Sequence, residues 1–122
     1  MARIISLIYG IAFLAVGVLG TVTGGHDHLL FSLFGINFFH NTVHLFSGLV
    51  ALGCYALGEE ASRGFLWFIA IVYGLVVLGG LCGITPIVNA FNLNAGDNIL
   101  HLALVLGAVY GLAKSSRQLQ PI

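Results

Sequence analysis

Polar residues are sparse along this chain and fall in clumps, and four apolar stretches lie between the clumps. They run from about Ile4 to Val22, Phe38 to Leu57, Phe65 to Ile84 and Ile99 to Ala113. A helix crossing the hydrocarbon of a bilayer needs about 20 apolar residues, so each stretch predicts one crossing. The fourth is short enough that a buried soluble helix competes, and the company of three clear spans favours a crossing. Thr23-Gly24-Gly25, Gly35, Gly58-Glu59-Glu60, Thr85-Pro86 and Asn94-Ala95-Gly96 punctuate the connections. The second and fourth stretches are apolar all round, so no hydrophobic face tells which side points inward. The prediction is one all-α domain, residues 1–122, folded as a four-span transmembrane helix bundle.

Composition says what solvent this fold needs. Hydrophobic residues make up 59% of the 122, Gly supplies 17 more, and only 7% are charged. That is far below the quarter or so charged in soluble domains, so lipid is the expected surrounding. A formal net charge of zero offers no basic face for phosphates and excludes nucleic acid as a partner. Arg3, Arg63, Lys114 and Arg117 fall on one side of a four-span topology, which the positive-inside rule makes cytoplasmic together with both termini. The first span reads as a retained helix, because no small-residue cleavage site follows it. Cys54 and Cys82 fall towards opposite membrane faces, too far apart for a disulfide.

The chain repeats itself. Asn41-Thr42-Val43-His44-Leu45 matches Asn98-Ile99-Leu100-His101-Leu102, each at the outer start of a helix, and Tyr9-Gly10 is set against Tyr73-Gly74. Gly17 and Gly20 then stand against Gly79 and Gly83. Two units, about residues 1–58 and 64–114, each with two crossings, would form two parallel-repeat hairpins with His44 and His101 at similar depth. Gly79-x-x-x-Gly83 and Gly107-x-x-x-Gly111 suit close helix packing.

Candidate chemistry gathers in the predicted outer leaflet, where His26, His28, His40, His44 and His101 all fall. Two readings stand for His44 and His101. In one, Asn41 and Asn98 cap their helices while each His hydrogen-bonds across the bundle. In the other, the imidazoles ligate the metal of a tetrapyrrole, haem b or a chlorophyll, in a Gly-lined cleft. A proton relay is disfavoured, since no carboxylate falls inside a span. His40, one turn before His44, reads as an interfacial group or a supporting cofactor contact, and the i, i+4 pair has the spacing of metal ligands. His26 and His28, with Asp27 between them, form a weak surface metal candidate. Phe31, Phe34, Phe38 and Phe39 suit an aromatic belt, and Leu29 to Asn37 an interfacial amphipathic stretch. Glu59 and Glu60 read as a solvated turn. With no phosphate loop, no nucleophile set and no paired membrane carboxylates, the chain is not expected to be an enzyme.

The runs Phe34-Gly35-Ile36-Asn37, His40-Asn41-Thr42-Val43-His44-Leu45 with Gly48, and Asp97-Asn98-Ile99-Leu100-His101-Leu102 resemble an uncharacterised family of small four-helix bacterial membrane proteins with cyanobacterial members, a domain of unknown function. The resemblance spans nearly the whole chain and implies four crossings but no activity. Its setting would be a bacterial inner membrane or a thylakoid. The expected role is an accessory subunit among other integral subunits of a photosynthetic or respiratory complex, with a tetrapyrrole at His44 and His101. The alternatives are a stand-alone b-type haem carrier and an outer-face metal sensor.

Overall fold

The computed structural model describes residues 1–23, 29–31 and 33–118, the last two without their side chains. The chain is all-α apart from one small hairpin. Helix α1 (Ala2–Thr23) is followed by strands β1 (Leu29–Leu30) and β2 (Phe34–Gly35), then α2 (Phe38–Leu57). Helix α3 (Glu59–Phe68) passes without a break through a π-helical turn (Ile69–Tyr73) into α4 (Gly74–Leu81), making a single rod. A short α5 (Thr85–Phe91) leads to α6 (Ala95–Gln118).

Three of these rods, Ala2–Thr23, Glu59–Leu81 and Ala95–Ser116, are long and apolar enough to cross a membrane. They bury only 28%, 33% and 28% of those stretches inside the protein, so most of their apolar side chains, Ile8, Val22, Leu75 and Leu106 among them, point outward. Such a surface is suited to hydrocarbon rather than water. The fourth long helix, α2, has 20 residues and lacks that apolar character because His40, Asn41, His44 and Ser47 interrupt it, all buried.

Close backbone contact joins α1 to α2. A methyl group on Gly10 or Gly17 would strike Leu52 or Leu45, and one on Gly48 would strike Leu14. The inner core stacks Tyr9, Phe13, Ala51, Phe65, Leu66, Ile69, Tyr73 and Ala108. Polar ties cross it, as membrane helices require when little hydrophobic drive separates protein from lipid: the Ser6 hydroxyl donates to the Ala51 carbonyl at 2.7 Å, and Tyr9 to the Leu104 carbonyl at 2.7 Å.

Several expectations change. Gly58, at φ 115°, makes the turn from α2 to α3 alone, so the third rod starts at Glu59, well before Phe65. Glu59 is not a solvated turn residue. Its Oε1 accepts from the Met1 ammonium and the Ala2 N–H at 2.9 Å and from the Ser115 hydroxyl at 2.8 Å, and its Oε2 accepts from the Arg3 N–H at 3.0 Å. One carboxylate thus clamps the starts of α1 and α3 to the end of α6 and answers the free donors of α1. Helix α6 is also longer than the predicted fourth span. The stretch from Leu29 to Asn37 carries the β1–β2 pairing, Leu29 with Gly35 and Leu30 with Phe34, with Leu30 and Ile36 buried. Gly83, at φ 65°, follows the end of the third rod with open space around it, so of Gly79-x-x-x-Gly83 only Gly79 is a packing position, against Ile87.

Candidate metal centre

The starts of α2 and α6 are built by the same device. The Asn37 Oδ1 accepts from the His40 N–H at 2.7 Å, and the Asn94 Oδ1 accepts from the Asp97 N–H at 3.0 Å, each the side-chain cap a helix N-terminus needs. Their amide groups then reach across. Asn37 Nδ2 donates to the Ala90 carbonyl at 2.8 Å and Asn94 Nδ2 to the Leu33 carbonyl at 2.9 Å. The partners correspond at one fixed spacing along the chain: 37 with 94, 40 with 97, 33 with 90. Deeper in, Tyr9 bonds to Leu104 while the Tyr73 hydroxyl bonds to that of Ser47 at 3.0 Å, and Ser47 and Leu104 keep the same spacing.

Asn41 and Asn98, expected to cap their helices, sit one turn inside them, because Asn37 and Asn94 are the caps. Their Oδ1 atoms are buried without a conventional donor. Asn41 faces Gly20 and Asn98 faces Gly80, so that a methyl on either glycine would run into the amide oxygen. This is the geometry of a Cα–H···O contact. The correspondence of the outer helices also shifts. Phe13, with its ring 5.5 Å from that of His44, takes the place that Tyr73 takes 5.5 Å from His101, so Tyr73 answers to Phe13 rather than to Tyr9, and Gly80 to Gly20.

His40, His44 and His101 meet where these two halves join. Their ring centroids lie 4.4 Å apart for His40–His44, 5.5 Å for His40–His101 and 5.9 Å for His44–His101. One nitrogen from each falls within 4.8 Å of the others. The three residues are 2%, 5% and 2% exposed, so His40 is a core residue and not the interfacial group expected. Both ring nitrogens of His40 and both of His101 lack a hydrogen bond of acceptable geometry. The Gly35 and Phe91 backbones come close to the His40 ring. A buried polar atom left unpaired costs about 1–3 kcal/mol, and a cluster of such atoms calls for a ligand. Neutral imidazole supplies one lone pair each, as it does to transition metals.

A tetrapyrrole does not fit between these rings. The cavity bounded by the three His with Val72, Tyr73 and Phe91 is about 40 Å³, whereas pockets for organic cofactors run to about 300–1,000 Å³. Two apolar grooves of suitable size lie elsewhere. One of about 420 Å³ lies along Ile71, Gly74 and Leu102, and one of about 430 Å³ along Phe46, Phe65 and Phe68. Neither is lined by a histidine. A bare ion suits the three His, and the expected cofactor chemistry narrows accordingly. His26 and His28 lie outside the described residues.

Asp97 was not foreseen as a structural residue. It is 2% exposed, and its Oδ2 accepts from the Gly35 N–H at 3.0 Å and the Asn94 N–H at 2.9 Å. The carboxylate is therefore engaged with the loop N–H groups of Gly35 and Asn94. The available signal was the capping spacing, Asn94-x-x-Asp97 set beside Asn37-x-x-His40. Ser47 carried none, being a single polar atom in an apolar run, and Tyr73 only its place in the repeat.

The chain matches the family described as Domain of unknown function (DUF4383) over residues 3–113 and belongs to it. It matches no curated protein and no solved structure.

Proposed function

We propose that this protein is a small, non-catalytic integral membrane protein whose bundle holds one transition-metal ion on His40, His44 and His101. The observation that carries this is the convergence of three buried imidazoles, one nitrogen from each lying within 4.8 Å of the others, with both ring nitrogens of His40 and of His101 lacking a hydrogen bond of acceptable geometry. In this reading α2 is a fourth crossing, its polar residues shielded from lipid by its neighbours, in keeping with the interior placement of ionisable groups in membranes. Arg3 bonds to the Tyr55 carbonyl beside the Glu59 clamp, and Lys114 lies on α6 next to Ser115, so the basic residues sit at the clamped end. That supports a cytoplasmic clamp and an outward metal centre. The apolar side chains exposed along the helices favour a place as an accessory subunit among other membrane subunits, in contact with lipid over those faces.

Elemental analysis of protein purified in mild detergent from metal-replete cells tests the centre. About one metal equivalent per chain is expected, falling to background in His44→Ala and His101→Ala. Metal-free wild-type protein that also takes up none on reconstitution overturns the reading.

A further inference from the structure

We infer that the ion held by His40, His44 and His101 is monovalent copper; this rests on the reading of the three histidines as metal ligands. Imidazole alone does not choose among first-row metals, since zinc, copper, iron and nickel all accept it. Charge and coordination number choose here.

All three ligands are neutral, and no carboxylate joins their cluster among the described residues. Asp97 is the nearest acidic residue in sequence to the cluster, and its carboxylate is spent on the Gly35 and Asn94 N–H groups. Glu59 is held in the clamp with Ser115, at the far end of α6 from His101. Cys54, near the foot of α2, and Cys82, exposed past the end of α4, are both free thiols outside the cluster. A divalent ion would therefore keep its whole charge in a low-dielectric interior. The self-energy of a buried ion rises with the square of its charge, so a single charge carries about a quarter of that penalty.

The walls point the same way. Zinc in a three-His site completes a tetrahedron with water or another ligand, and a bound water needs hydrogen-bond partners of its own. Around the histidines stand Val43, Val72, Val76 and Phe91, which offer none, and the Tyr73 hydroxyl is engaged with Ser47. A d¹⁰ copper(I) ion is content with three ligands. Metal–nitrogen bonds of about 2.0 Å place three coplanar donors about 3.5 Å apart. From a spread within 4.8 Å that needs closure of about 1 Å, within reach of side-chain rotation.

The test uses the full-length protein in detergent micelles. Copper(I), kept reduced with ascorbate, is titrated against a chromogenic copper(I) chelator, and zinc(II) against a fluorescent zinc chelator. The expected result is one copper(I) per chain, bound at least 100-fold more tightly than zinc and weakened at least 100-fold in His101→Ala and in His40→Leu. The copper K-edge spectrum of the wild-type complex should show three nitrogen donors and no sulfur, a readout that needs no variant to fold. Zinc or another divalent ion bound as tightly with the same histidine dependence overturns the copper assignment and leaves the trihistidine centre standing. Sulfur donors, or four or more ligands at the edge, also overturn the assignment. Binding of neither metal overturns both.

Discussion

Three residues after the asparagine that caps α2 stands His40; three residues after the one that caps α6 stands Asp97. The frames around them are alike, down to the crossed amide bonds from Asn37 to Ala90 and from Asn94 to Leu33. Asp97 looks outward and gathers two loop N–H groups, closing the β1–β2 hairpin onto α6. His40 looks inward and adds a third imidazole to the pair that the matched helices supply. The same position thus serves the fold in one half and departs from the fold's needs in the other. Where a repeated framework is broken at a buried polar residue whose ring makes no hydrogen bond of acceptable geometry, stability is a poor account of the residue and chemistry is the better one.

That contrast can be broken or sharpened by substitution, with stability followed by thermal unfolding in detergent. The largest loss is expected from Asp97→Ala, about 4 kcal/mol, because a buried and a part-buried backbone donor lose their acceptor at once; a loss under 1 kcal/mol would show that the carboxylate does not close the loops. Gly35→Ala should cost about 3 kcal/mol, since its methyl meets the Asn92 carbonyl, a backbone atom that cannot swing aside. Gly20→Ala and Gly80→Ala should each cost about 2 kcal/mol and agree closely, as both force a methyl against an asparagine oxygen. Widely different losses would break the equivalence of the halves. Tyr9→Phe and Tyr73→Phe should each cost about 1 kcal/mol, the worth of one ordinary hydrogen bond. Smallest of all is His40→Leu: folding stability should hold within about 1 kcal/mol, because an apolar side chain of comparable size removes two unbonded nitrogens, while metal retention disappears. A large loss of stability there, with metal still bound, would return His40 to a structural role.

The rods were legible in the sequence because the chain leaves so few polar residues to interrupt them, and α2 spans the same Phe38–Leu57 that the apolar run marks out. The helix ends were less so. Glu59 reads as solvent-exposed from its neighbours Gly58 and Glu60, and its role depends on the starts of α1 and the end of α6 arriving beside it, which no local pattern encodes. His44 and His101 stood out through their shared Asn-x-x-His-Leu, whereas the inward turn of His40 was hidden: in a helix apolar on every side, spacing tells that His40 and His44 share a face but not which neighbour that face meets. The scale of the cavity was invisible too, since it depends on how far Phe91 and Val72 close over the rings.

The π-helical turn at Ile69–Tyr73 sets the pointing of everything above it. An α-helix rotates about 100° per residue and a π-helix less, since its hydrogen bonds reach one residue further, so drawing Ile69–Tyr73 into α-helix with no residue removed would swing Gly74–Leu81 around the rod's axis while leaving Glu59–Phe68 where it is, whereas removing one residue as well would cancel most of that swing. Gly80 would leave Asn98, and the rod would present a bulkier side chain to α6. The third rod thus behaves as two separately aimed segments, one serving the clamp and the other the histidines, and its sequence can be altered below the turn without re-aiming what lies above it.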